Sequence, residues 1–196
     1  MKKYLLVLLL LFGAFQTAFG QSTIMIMGDS ISNGYQIPPG KSWGSLLQQC
    51  INNMHTDILV VNESQNNSST KLGLKNLPES LTAHQPDIVI IALGSIDAKN
   101  NNSPESVKDN IKQMIELSTE NEAKVILAGT PMSNAKYFQS FSSLAKDNNL
   151  VWVNNLYADL KPKAKPILED GIHANANAQK TIMNTVWKKL YPLLDL

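Results

Sequence analysis

Ile24-Met25-Ile26-Met27-Gly28-Asp29-Ser30-Ile31-Ser32 begins as an unbroken apolar run, stops at a glycine and passes directly into Asp-Ser. Continuous rather than alternating apolarity is what a parallel strand covered on both faces requires. With Thr23 at its start, the run reads as a strand over Thr23–Met27, and four more of the same kind follow at Ile58–Asn62, Asp87–Leu93, Lys124–Gly129 and Leu150–Asn154. Amphipathic, helix-like segments lie between them near 42–54, 70–84, 104–121 and 135–148, with a last one near 177–191. Ser103-Pro104-Glu105 is a helix start of defined chemistry, with serine as N-cap and proline at the first helical position. Strands alternating with helices imply right-handed βαβ units and an α/β sandwich. No internal repeat and no interdomain linker interrupts the pattern, so residues 21–196 are expected to form a single domain.

The first residues have the layout of a secretory signal. Lys2 and Lys3 precede an apolar run from Tyr4 to Phe15, and Ala18-Phe19-Gly20 supplies small residues for cleavage before Gln21. The run is shorter than the roughly 20 apolar residues that span a bilayer. Residues 1–20 are therefore expected to be a signal peptide, giving a periplasmic or secreted protein with no stable membrane span. There is no cysteine near the junction to carry a lipid. The chain has 17 Lys+Arg against 16 Asp+Glu, and loss of Lys2 and Lys3 moves its net charge from +1 to about −1. That balance, without basic patches or charge runs, argues against nucleic acid as a partner. Cys50 is the single cysteine, so no intrachain disulfide exists; it ends an apolar helix-like stretch and reads as a buried small hydrophobe. Three separated histidines and one cysteine show no metal-site spacing, and no metal or other cofactor is expected.

Loops leaving the carboxyl ends of parallel strands converge on one edge of the sheet, where ligands bind. At those exits stand Gly28-Asp29-Ser30, Asn62-Glu63-Ser64, Gly94-Ser95-Ile96-Asp97 and Thr130-Pro131-Met132, and Asp170-Gly171-Ile172-His173 arrives ahead of the last helix. A serine hydroxyl is a weak nucleophile until a base takes its proton. Histidine does this near neutral pH when a carboxylate fixes its tautomer and stabilises the imidazolium. Asp170, three residues before His173 with Gly171 between, is close enough to turn back onto that imidazole. Ser30 at the first turn of a helix also has a backbone N–H free to meet a developing oxyanion. Taken alone, Asp-Ser at a strand exit is a common helix cap and a loop histidine is commonly solvated. Their placement on one sheet edge from opposite ends of the chain favours catalysis. His55 and His84, each following or ending a helix, compete poorly.

These blocks resemble the SGNH (GDSL) hydrolases, and among them the small secreted bacterial branch with thioesterase, lysophospholipase and arylesterase members. The resemblance extends over nearly all of residues 21–196. It implies a three-layer α/β/α sandwich with a five-stranded parallel sheet in flavodoxin-like order. It also implies hydrolysis of carboxylic esters or thioesters through an acyl-enzyme on Ser30, with His173 as base then acid, Asp170 as orienting carboxylate, and no cofactor. A small-molecule or lipid-like acyl ester is the implied partner, and a monomer is expected.

Three departures stand out. The family's oxyanion hole uses the nucleophile's N–H, a glycine N–H from the second block and an asparagine side chain from the third. Here the glycine position aligns with Asn67, whose backbone N–H survives and whose side chain best tolerates left-handed geometry. The asparagine position aligns with Ile96, which has no donor, so weakened activity is expected; Ser95, Asn66 and the Asn67 amide are the candidate substitutes. Ala174 stands where the family has proline after the histidine, a change expected to loosen that loop. Two other readings follow from the residues: a degenerate fold that binds a lipid, acyl group or glycan, and a flavodoxin-like nucleotide binder. The second lacks a glycine-rich phosphate loop after the first strand. Met132, Tyr137, Phe138, Phe141 and Tyr157 read equally as an acyl channel or as core.

Overall fold

A computed structural model describes residues 21–54, 56–131 and 135–194. The expected signal peptide, His55 and Met132 lie outside the described residues. Five strands, β1 (Ser22–Gly28), β2 (Ile58–Asn62), β3 (Ile88–Ala92), β4 (Lys124–Ala128) and β5 (Val151–Val153), pair in the order β2-β1-β3-β4-β5, and every pairing is parallel. This is the flavodoxin-like order, and the expected α/β/α sandwich is found.

Among the described residues seven α-helices connect and cover the sheet: α1 (Ser30–Asn33), α2 (Trp43–Asn52), α3 (Thr70–His84), α4 (Ser95–Lys99), α5 (Pro104–Glu120), α6 (Ala135–Asp147) and α7 (Gln179–Leu190). Serine hydroxyls cap three of the longer ones: Ser42 accepts from Ser45 N–H, Ser69 from Leu72 N–H and Ser103 from Ser106 N–H, the last with Pro104 following. Each satisfies a backbone donor that the first helical turn leaves unpaired.

Alternate side chains along each strand feed opposite layers. Ile24 and Ile26 of β1, with Ile88 and Ile90 of β3, pack against Trp43 and Leu47 of α2 and Ile182 and Val186 of α7. Met25, Met27, Val89 and Ile91 pack on the other face against Leu77 of α3, Ile111 and Met114 of α5 and Phe141 of α6. Burial on both faces of the central strands β1 and β3 is why the period-2 alternation is invisible there and each reads as a solid apolar run. Cys50 is half-buried against the α2–α7 layer, and its thiol is free. None of the helices among the described residues is long and apolar enough to cross a membrane.

Candidate active site

Chain direction reverses its spread across the sheet between β1 and β3, which opens a crevice at their carboxyl ends. β1 ends at Gly28 opposite Ala92 of β3. The chain then turns so tightly that a Cβ at Gly28 would lie 2.7 Å from Ser32 Cβ and Oγ and 2.9 Å from Ser64 Oγ. Glycine is the residue this approach admits. Asp29 is the N-cap of α1: its Oδ1 accepts from Ile31 N–H at 3.0 Å, and its Oδ2 accepts from the Ser95 hydroxyl across the crevice. Asp29 is 0 % exposed, and burial pushes its carboxyl above the usual range against the lowering effect of the Ser95 bond. The pair therefore ties the turn that carries Ser30 to the start of α4.

Ser30 is the first residue of α1, so its N–H lies where no carbonyl within the helix can accept it. Its hydroxyl lies 2.8 Å from His173 Nε2, 143 positions away in sequence. On the other side of the ring His173 Nδ1 lies 2.6 Å from Asp170 Oδ2. Asp170 Oδ1 also accepts from Ile172 N–H at 2.8 Å and His173 N–H at 2.9 Å. Gly171, at φ 71°, makes that reversal of the chain possible. The His173 backbone N–H, then that of Ile172, then the His173 side chain hold the Asp170 carboxyl down at about 2. An ionised carboxylate only accepts, so Nδ1 carries the proton and Nε2 is left to accept from the serine hydroxyl. The three residues singled out in the sequence thus form one continuous hydrogen-bonded chain. Tyr35 covers the imidazole, ring centroids 4.5 Å apart, and Gly34, Ile37, Ala174 and Gln179 close in beside Ser30, leaving no room for a water molecule between them.

The lowered Asp170 pKa has a thermodynamic consequence. A carboxylate whose folded value (about 2) lies below its ordinary 3.8 adds stability that is fully present above pH about 4 and is lost as pH falls toward 2. The side chain is 34 % exposed, so solvent screens the effect and it is modest. Asp170→Asn should melt below wild type at pH 6, the gap narrowing between pH about 4 and about 2. A gap that stays constant over that window in thermal melts would contradict the geometry.

The other candidates sort cleanly. Asn67 sits in the turn closed by Ser68 N–H on Gln65 O and has φ 60°, the left-handed conformation anticipated for it. Ile96, second residue of α4, is half-buried and offers no polar atom. Ser95 is not a spare donor, because its hydroxyl is engaged by Asp29. Asn66 Oδ1 accepts from Asn33 Nδ2 at 3.1 Å. Tyr137 and Phe141 are core rather than channel: both are buried in the cluster with Met27, Ile91, Ile111 and Met114, with the Tyr137 hydroxyl bonded to the carbonyls of Asp97 and Asn102. Phe138 is exposed and packs on Trp152 at 6.0 Å. His84 pairs with Glu63 at 2.9 Å, away from Ser30's hydrogen-bonded chain.

One expectation is corrected. Ala174 does not loosen the histidine loop; it is buried, and its N–H donates to the Tyr157 hydroxyl at 3.0 Å, a bond that proline has no hydrogen to make. The loop is further held by Gln179, whose Nε2 donates to Ala174 O and whose Oε1 accepts from Trp43 N–H, both at 3.0 Å. Gln179 and Tyr157 were not singled out for this role in the sequence, where a polar residue in a helix and an aromatic in a loop give no signal of what they touch.

Comparison with known proteins adds to this geometry. The model of the GDSL-like lipase/acylhydrolase family matches residues 26–180. The chain is 30% identical to an arylesterase of Vibrio mimicus over 193 residues, covering 95% of this chain and 96% of that protein. It is 30% identical to esterase TesA of Pseudomonas aeruginosa over 179 residues, 88% and 89% of the two chains. A crystal structure of TesA superposes with a TM-score of 0.83 at 27% identity, covering 88% of this chain and 100% of that one. The psychrotrophic esterase EstA from Pseudoalteromonas sp. shares the fold, with a TM-score of 0.80 at 23% identity over 89% and 100% of the chains.

Proposed function

The chain belongs to the GDSL-like lipase/acylhydrolase family, the SGNH serine hydrolases of esterase, thioesterase and lysophospholipase type, and on that premise we propose that it is a secreted acyl hydrolase of reduced turnover, working through Ser30, His173 and Asp170. The observation that carries the reading is the hydrogen-bonded chain Ser30–His173–Asp170, at 2.8 and 2.6 Å. In the reaction, Ser30 Oγ bonds to the ester or thioester carbonyl carbon while its proton passes to His173 Nε2. The resulting imidazolium is stabilised by Asp170, and gives its proton to the departing alkoxide or thiolate as the acyl–O or acyl–S bond breaks. Water, deprotonated by the same nitrogen, then releases the acid and restores the serine. No cofactor enters these steps.

The oxyanion is met by the Ser30 N–H and the Asn67 N–H, the latter supported by its left-handed backbone. Ile96 supplies nothing, and turnover is weakened for that reason. Residues 1–20 act as a signal peptide cleaved before Gln21, the working protein is residues 21–196 in the periplasm or outside the cell, and it acts as a monomer. The experiment is hydrolysis of short- and medium-chain p-nitrophenyl esters and acyl-CoA by the wild-type protein. Turnover indistinguishable from buffer would overturn the hydrolase reading in favour of a fold that binds acyl groups without cleaving them, the alternative that Ile96 favours.

A further inference from the structure

We propose that Tyr157 is a positioning residue for His173, acting through a hydrogen bond available to this chain because residue 174 is alanine. The inference rests on the reading of His173 as the general base. Tyr157 follows β5, and its stretch is tied to the sheet: Leu156 N–H donates to Gly129 O at 2.9 Å, and Tyr157 N–H to Asn155 Oδ1 at 2.8 Å. From that anchored position its hydroxyl accepts from Ala174 N–H at 3.0 Å and donates to Ile172 O at 3.3 Å. A single oxygen therefore holds both peptide units that flank His173. Burial pushes the phenol well above its ordinary range, so it keeps the proton it donates.

The remaining backbone bonds of the loop leave this task to Tyr157. Ala174 faces Ile167 in an antiparallel bridge whose two bonds run from Leu168 N–H to His173 O (2.8 Å) and from Asn175 N–H to Pro166 O (2.7 Å). That pairing leaves Ala174's own N–H unused and turned away from Ile167. The loop is otherwise fastened to Asp170, within itself, and to α7 through Gln179. Tyr157 is the connection from the histidine's backbone to the far edge of the sheet. A proline at 174 would hold φ near −65° by its ring, whereas alanine relies on an external partner for the same rigidity. The imidazole must stay within a fraction of an ångström of Ser30 Oγ, since displacement of about 1 Å costs on the order of 10²-fold in rate.

The test compares wild type, Tyr157→Phe, Ala174→Pro and the double variant. Tyr157→Phe, isosteric apart from one oxygen, should lower kcat and the rate of fluorophosphonate labelling of Ser30 about tenfold with KM held within about twofold. Adding Ala174→Pro to Tyr157→Phe should recover at least about threefold of that loss, because the ring replaces the rigidity the bond supplied. Labelling of Tyr157→Phe within twofold of wild type, or a loss that Ala174→Pro fails to recover, would overturn the proposal. If wild type itself takes no label, the hydrolase reading fails separately, and the His173 imidazole NMR signals decide the positioning role. They should be exchange-broadened in Tyr157→Phe and sharp in wild type, and unchanged signals would reject it.

Discussion

Ser30→Ala and His173→Ala should each lower kcat for p-nitrophenyl ester hydrolysis by on the order of 10⁴-fold or more, and the double variant should be no worse than either. The reason is the connectivity. Ser30 Oγ, His173 Nε2, His173 Nδ1 and Asp170 Oδ2 form one uninterrupted path. With the hydroxyl gone there is no atom to acylate, and with the imidazole gone there is no acceptor for the proton the hydroxyl must lose. Each loss disables the same step, so the second costs nothing further. Thermal melts should leave both variants folded, because the Asp29 cap of α1 and the Asn175 cap of the 3-10 turn Ala176–Ala178, which leads into α7, are untouched. Factors that multiply in the double variant would mean that Ser30 and His173 serve different processes.

Ile96→Asn should raise turnover at least tenfold. One oxyanion-hole donor is worth about 10²–10³ in rate, roughly 2.7–4 kcal/mol of transition-state stabilisation. The expected gain is set below that range because Ser95 next to it is held by Asp29 and the recovered amide must find its orientation unaided. Ile96 is half-buried at the start of α4, so an asparagine there exchanges part of an apolar contact for a polar group that solvent still reaches. The gain should appear in kcat with KM nearly unchanged, since the donor meets charge that develops only in the transition state. No gain would mean that another group already fills that position.

The fold was legible because the central strands β1 and β3 are buried on both faces and read as solid apolar runs. Ile58–Asn62 is a strand over the same residues read from sequence; the other four differ by one residue at one or both ends, β1 gaining Ser22 and Gly28 and β3, β4 and β5 stopping short of Asp87, Leu93, Gly129, Leu150 and Asn154. The long helices were legible from apolar spacing and, for α5, from Ser103 as its cap. The helix start at Ser30 was read from the strand exit, but α4 was not, since five residues are too few to display a period. Ser30, His173 and Asp170 could be picked out because each residue type carries its chemistry by itself, and the structure joins the three by hydrogen bonds. What holds them could not: the Asp29–Ser95 bond joins residues 66 apart, and the Tyr157 brace depends on where a phenol oxygen lands relative to two peptide groups. Tyr137 and Phe141 illustrate the same limit, since their spacing marks a face of α6 and not whether substrate or the core covers it.

The most direct measurement is peptide mapping by mass spectrometry after exposure of the folded protein to a fluorophosphonate probe at neutral pH. One adduct at Ser30, absent from Ser30→Ala and formed far more slowly by His173→Ala, is the predicted result. A wild-type protein left unmodified, or modified at the same rate when His173 is gone, would contradict the account.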